Sequence, residues 1–260
     1  MPANVTEITT NRVIGPVADI VRSSMPKRAP STSILRTSTI CVLSYLYGSL
    51  PLVYVLGRGR RVDLTQTGSG NVGATNLMAA GGPALAATGW IFDASKGLVP
   101  ALITRQLGAT RTEAELAAVC GVAGQCWPIF LRFRGGRGIS AFVGAAFAMD
   151  RFAWTAAILP MIGGSLWRVI ARRRAGVNGK TLPDRSRSVP FGCFLGTGAF
   201  PVVAAAQRRH PATAVAPTLL STVIWARRLT APQPDDATRG PRIHPYALVN
   251  RLLYDRNTRD

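Results

Sequence analysis

The chain is poor in the residues that most often carry catalysis. It has two histidines, His210 and His244, and both fall in predicted loop or tail outside the apolar stretches. No Ser-His-acid arrangement or histidine-based metal cluster is therefore expected, and neither is a cofactor. The four cysteines, Cys41, Cys120, Cys126 and Cys193, form no CxxC pair and lie mostly in apolar runs. They read as small buried hydrophobes rather than disulfides or ligands. Acidic residues number 12 against 31 basic ones. The first 33 residues lack a sustained apolar core, so no cleavable signal peptide is expected.

Charge of either sign is scarce, at 17% of residues, and it is unevenly placed. Residues Ile40 to Leu56, Leu116 to Leu131, Phe152 to Trp167, Val189 to Gln207 and Pro211 to Ala226 contain no Lys, Arg, Asp or Glu. Each approaches the roughly 20 residues of a bilayer-spanning helix. A sixth run, Pro83 to Leu107, is interrupted by Asp93, Lys96 and Arg105, and a shorter one covers Ile139 to Met149. A soluble helical protein would show a polar face on its surface helices, and these runs have none. The expectation is an all-α polytopic membrane protein of about seven transmembrane helices.

The formal charge of +19 does not indicate nucleic acid, because the cations sit at the ends of apolar runs rather than in one stripe. That placement suits loops meeting anionic membrane lipids on the cytoplasmic side. Arg58, Arg60 and Arg61 follow Ile40 to Leu56, and Arg132, Arg134 and Arg137 follow Leu116 to Leu131. A further basic group from Arg168 to Arg187 follows Phe152 to Trp167, whereas alternate loops hold fewer cations. With seven spans, the glycine-rich loops described below and the carboxyl tail face the cytoplasm.

Three segments are expected. Residues 1–33 form a poorly ordered basic extension, 34–231 a membrane domain, and 232–260 a linker and tail in which Tyr246 to Tyr254 makes a short interfacial helix. No internal repeat supports an inverted-repeat transporter.

Two loops of small residues join the apolar segments. In the first, GSGNVGATN, Gly68, Gly70 and Gly73 allow the backbone to wrap an anion, while Ser69, Asn71, Thr75 and Asn76 supply neutral donors. Exposed backbone N–H groups in such loops bind phosphate. In the second, Gly135, Gly136 and Gly138 permit close backbone approach, and Arg137 can grip phosphate oxygens through its planar fork. Arg132 and Arg134 fit lipid headgroups equally well. The GxxxxGK[ST] spacing of a Walker loop is absent. Asp93 and Lys96 share one helical face inside an apolar run; they either neutralise each other or line a polar site, and the second reading is favoured. Chemistry at such a site works by positioning and electrostatics on an activated substrate.

GSGNVGATN, then DASKG (Asp93 to Gly97), then GQCWPIFLRFRGGRG (Gly124 to Gly138) resembles the bacterial acyl-phosphate:glycerol-3-phosphate acyltransferase family, PlsY, in order and spacing. The resemblance runs from about Leu35 to Ala231. It implies a seven-helix inner-membrane enzyme, with its active site facing the cytoplasm, that moves a fatty acyl group from acyl phosphate to glycerol 3-phosphate. The products would be lysophosphatidic acid and phosphate. By this resemblance Ser69 and Asn71 orient the substrates, Lys96 neutralises negative charge, and Gly135, Gly136, Arg137 and Gly138 hold a phosphate. The chain departs from the family's pattern at several positions. Ala79 stands where the first block ends in Arg, Gln125 where the third begins Gly-His, and Arg137 in place of Lys. Arg227 and Thr230 fall where the family carries His-x-x-Asn. Arg227 is accordingly a candidate to restore positive charge from another helix. These departures motivate an alternative, a diverged or differently specific relative that binds a phosphorylated lipid or metabolite. A small anion channel is a third reading, resting on Asp93 and Lys96 alone.

Overall fold

The computed structural model describes residues 30–66, 71–174, 187–207, 214–232 and 245–255, and every regular element among them is helical. The chain divides into two compact units, residues 1–38 and 39–260. The described part of the first is the opening of helix α1 (Pro30–Gly48), where Ile34 and Leu35 are exposed. The expected basic extension otherwise lies outside the described residues, as do His210, His244 and most of the Pro-rich linker.

Local chemistry explains most of the boundaries. The charge-free run Ile40 to Leu56 is two helices, because Pro51 separates α1 from α2 (Leu52–Gly59). Helix α3 (Ala74–Gln106) is 33 residues long and contains a break at Gly82, whose φ of 80° and ψ of 178° are not helical. Helix α4 (Arg111–Cys126) starts with a capping box. Glu113 N–H donates to the Thr110 hydroxyl, and the Glu113 carboxylate accepts from Thr110 N–H at 2.7 Å. A 3-10 turn, Ile129–Leu131, follows it. The short α5 (Ile139–Met149) is followed directly by α6 (Arg151–Arg174), whose first turn is capped by Asp150 accepting from the N–H groups of Phe152 and Ala153. Helices α7 (Ser188–Gln207), α8 (Val215–Thr230) and α9 (Pro245–Tyr254) complete the set.

Within the second unit α3 packs on α4 and α5, α6 lies along α7, and α8 bridges α4 and α7. The interior is built largely from alanine: Ala117, Ala118, Ala141, Ala145, Ala146, Ala153 and Ala157 are fully buried. Phe142 and Phe200 meet edge to face at 5.5 Å between them. Where side chains are this small, backbones touch, as is common between membrane helices. A Cβ at Gly121 would collide with the carbonyl oxygen of Lys96, so α4 reaches α3 at the very turn that carries the intramembrane cation. Gly121→Ala should therefore push α4 off α3 and lower stability by about 1–3 kcal/mol. Thermal unfolding in detergent measures this, and an unchanged Tm would contradict the contact.

The outside of the bundle is apolar. Phe152, Leu159 and Val202 are each at least 65% exposed, and Val42, Leu43, Ile91, Ile103 and Leu166 are exposed as well. Such a surface belongs in hydrocarbon rather than water. Four helical stretches are long and apolar enough to cross a membrane: Ile34–Gly59, Arg111–Leu131, Arg151–Arg174 and Ser188–Gln207. Helix α5, with 11 residues, rises only about 16 Å along its axis. Of the cysteines, Cys126 and Cys193 are buried as expected, whereas Cys41 and Cys120 are only half-buried.

The C-terminal helix α9 docks on α7 and α8. The guanidinium of Arg228, 2% exposed, donates to the Leu252 carbonyl at 2.7 Å and to the Pro190 carbonyl at 2.9 Å. Arg251 returns a bond to the Leu229 carbonyl, and Tyr254 stacks on Phe191.

Candidate active site at the glycine loops

A narrow cleft with about 10 Å3 of free space, room for roughly one water, opens where the loop ends meet the helices. Its wall comes from the α1–α2 elbow (Ser49 to Pro51, Val53, Tyr54), Val72 of the first loop, Asp93 and Lys96 of α3, Gln125, Pro128 and Leu131 at the end of α4, and Gly135 and Gly136. Asp93 and Lys96 are each 2% exposed and pair at 3.0 Å. The Lys96 ammonium also donates to Gln125 Oε1 and lies 5.2 Å from the Phe92 ring centroid. The two side chains pair within α3 and both border the cleft.

Gln125 was legible in the sequence only as a departure from a family pattern. It is the one strongly polar side chain in the run Leu116 to Leu131, and that isolation is the signal that could have placed it in the site. Its side chain touches Lys96, and its backbone carbonyl accepts from Gly136 N–H at 3.2 Å.

Of the first loop, Gly68, Ser69 and Gly70 lie outside the described residues. Asn71 and Asn76 play different parts. Asn76 is buried and braces the loop, donating to the carbonyls of Leu64 at 3.0 Å and Asn71 at 3.1 Å. Asn71 Oδ1 is buried with no hydrogen-bond partner among the described residues, an arrangement costly enough to call for one. A Cβ on Gly136 would stand 3.9 Å from that oxygen, so the two loops adjoin. Gly73 is the N-cap of α3 and offers no side chain, so the positive end of the helix faces the loop uncapped. Thr75 is exposed and Ala74 buried. Before the loop, Asp63 accepts from the Thr65 hydroxyl at 2.6 Å and from Thr65 N–H. These bonds hold its carboxyl below the usual carboxylate range and fix the turn that leads into the loop.

The second loop is shaped by a buried cation. Arg227, 3% exposed, donates through Nη2 to the Gly135 carbonyl at 2.6 Å and through Nε to the Gly136 carbonyl at 3.0 Å. Its guanidinium lies 6.0 Å from the Trp127 ring. Each carbonyl drawn toward Arg227 turns the N–H on the other edge of its peptide the opposite way. Arg227 therefore meets the loop from behind, through backbone oxygens. Gly138 ends the loop as the N-cap of α5, with φ 78°. Upstream, Arg132 and Phe133 are consecutive non-glycine residues at φ 52° and 63°, a strained reversal that exposes Arg132 and Arg134.

Arg137 does not line the cavity. Its Nε donates to both oxygens of Asp255, at 2.9 and 2.7 Å, and Nη2 reaches the Pro232 carbonyl at 3.4 Å. The structure thus gathers Asn71, Asp93, Lys96, Gly135 and Gly136, sets Arg227 behind them, and turns Arg137 toward the tail. No group of three or more His, Cys, Asp or Glu able to hold a metal occurs among the described residues.

The profile of the family described as glycerol-3-phosphate acyltransferase matches residues 38–229. A glycerol-3-phosphate acyltransferase of Rubrobacter xylanophilus is 41% identical over 110 residues, which span 42% of this chain and 55% of that relative. Glycerol-3-phosphate acyltransferase 4 of Dehalococcoides mccartyi is 31% identical over 223 residues, 83% of this chain and 87% of the relative. The Gluconobacter oxydans enzyme of the same name is 33% identical over 194 residues, 72% of this chain and 84% of that protein. Among solved structures, the glycerol 3-phosphate form of PlsY, an integral membrane glycerol 3-phosphate acyltransferase, superposes with a TM-score of 0.62 at 24% identity. It covers 74% of this chain and 88% of its own. The lysophosphatidic acid form gives 0.60 at 22% identity, over 84% and 98%. The order of the loops, the buried pair between them, the helical membrane fold and the length of the match lead to one assignment: this chain belongs to the glycerol-3-phosphate acyltransferase family.

Proposed function

We propose that the protein transfers a fatty acyl group from acyl phosphate to a hydroxyl of glycerol 3-phosphate, releasing lysophosphatidic acid and inorganic phosphate. The observation that carries this reading is the buried Asp93–Lys96 pair set beside two glycine-rich loops on one cavity. Acyl phosphate is a mixed anhydride whose phosphate leaves readily, so no covalent enzyme intermediate is needed. The substrate hydroxyl attacks the acyl carbonyl, the carbonyl–phosphate bond breaks, and the hydroxyl proton departs with the phosphate. The protein positions two anions and offsets their charge.

In this scheme Ser69 and Asn71 orient the substrates, with the unpartnered Asn71 Oδ1 accepting from a hydroxyl. Lys96 stabilises the developing negative charge. Gly135 and Gly136 let a phosphate approach the backbone, with Gly138 closing the loop and Arg137 supplying a full charge. Gly68, Gly70, Gly73, Thr75 and Asn76 complete the substrate-binding set. Residues 34–231 carry the activity as a multi-pass domain of about seven spans in the inner membrane. The cation-rich loops place the site on the cytoplasmic side.

The test is phosphate release from a synthetic acyl phosphate by the full chain in lipid nanodiscs, with and without glycerol 3-phosphate. Release that depends on glycerol 3-phosphate and is matched by lysophosphatidic acid is the expected result. One observation favours a second reading, a non-catalytic relative that binds a phosphorylated lipid: Gln125 replaces a titratable group and engages Lys96 directly. Thermal stabilisation by glycerol 3-phosphate without turnover would select it.

A further inference from the structure

The family match ends at residue 229, yet the cation assigned to phosphate is held by a residue far beyond it. We propose that Asp255 is a built-in competitor: its carboxylate engages the Nε–H of Arg137 and offsets the guanidinium charge that a substrate phosphate would use. Docking of α9 and phosphate binding at Arg137 then exclude one another. This rests on the phosphate-binding reading of Arg137 given above.

Three features support it. A carboxylate presents oxygens to guanidinium N–H groups much as a phosphate does. Here both oxygens of Asp255 lie within 2.9 Å of Arg137 Nε, and the pair is largely shielded, with side chains 13% and 22% exposed. Next, Gly135 and Gly136 line the cavity and Arg137 does not, although it follows them directly in the chain. The guanidinium is turned instead to Asp255. Finally, the carboxylate is delivered by a docked element. Arg228 grips the last turn of α9 through the Leu252 carbonyl, Tyr254 stacks on Phe191 and lies under Arg187, and Asp255 N–H closes on the Arg251 carbonyl. Asp255 itself sits at φ 54°, a left-handed conformation that Asp tolerates better than most side chains and that ends the helix while turning the chain.

The contact is poised to be displaced. Asp255 reaches Arg137 through Nε alone, and a phosphate dianion brings more charge and more oxygens to the same guanidinium. Phosphate arrival would free Asp255 and loosen α9. In the other direction, whatever holds α9 down lowers the affinity of the site for its anion.

The test is equilibrium binding of inorganic phosphate, and separately of glycerol 3-phosphate, to the full chain in nanodiscs. Asp255→Asn should tighten the Kd by about two- to fivefold. Asp255→Glu should return it toward the wild-type value, and Asp255→Asn added to Arg137→Gln should give no further tightening. In the wild-type protein, glycerol 3-phosphate should speed amide hydrogen exchange across 245–254, a readout independent of any variant's folding. An unchanged or weaker Kd in Asp255→Asn, no phosphate binding in any form, or unaltered exchange in α9 would each overturn the proposal. Tightened binding without acyl transfer would leave it standing and remove the acyltransferase reading. Turnover with unchanged binding would do the reverse.

Discussion

Lys96→Met should lower the stability of the protein by about 3–5 kcal/mol, because it leaves the carboxylate of Asp93 buried without its counter-ion. Asp93 is 2% exposed, and Lys96 is the cation paired with it at 3.0 Å. Gln125 Oε1 would lose its donor in the same step. Acyl transfer should fall below detection, but that alone cannot separate a collapsed site from a missing charge. The double variant Asp93→Leu with Lys96→Leu can. Replacing both members of a buried pair by apolar groups is often neutral, so its Tm should return toward that of the wild type while turnover stays lost. Differential scanning in detergent and the phosphate-release assay read the two effects separately. A Lys96→Met protein with unaltered Tm would show that the pair is not held as described, and recovery of turnover in the double variant would remove Lys96 from the chemistry.

The second large effect is expected at Arg227. Arg227→Met conserves much of the volume but deletes the donors to the Gly135 and Gly136 carbonyls, both on buried residues. Each orphaned carbonyl costs about 1–3 kcal/mol, and the peptide planes of the second loop lose the group that orients them. Catalytic efficiency should drop by about two orders of magnitude, consistent with the loss of one or two charge-assisted bonds. Arg227→Lys keeps the charge with a single ammonium in place of the planar fork, and it should recover only part of the loss. The decisive readout is phosphate affinity. A direct ligand would change the salt dependence of phosphate binding, whereas a residue acting through the loop backbone would chiefly lower kcat. Full activity in Arg227→Met would mean that the second loop holds its shape without help.

The helical membrane character was legible because charge-free runs need no tertiary information. Phe152 to Trp167 lies within α6, and Val189 to Gln207 within α7. The run Pro211 to Ala226 was misplaced for a physical reason. The run stops at the first charge, yet α8 continues through Arg227 and Arg228, whose guanidiniums are buried against backbone carbonyls. Similarly, residues expected as an extension begin α1 at Pro30. The glycine loops and the Asp93–Lys96 pair were readable from spacing, since residues at i and i+3 share a helix face. The positions of Arg137 and Arg227 were not. One depends on Asp255, distant in sequence, and the other on carbonyl oxygens that any residue could supply. The reading of Tyr246 to Tyr254 as a short helix matches α9, but its contacts with α7 and α8 have no local signature.

The break at Gly82 bears on how the two halves of the site are held. Its φ and ψ of 80° and 178° fall in a region essentially closed to residues with a side chain. The eight residues that continue from the first loop thus take their own direction, anchored by Leu77 against Val53 and Leu64, while the longer segment bearing the ion pair is packed between α4 and α5. The orientation of the loop and the placement of the buried charges are in this way set by separate contacts within one helix.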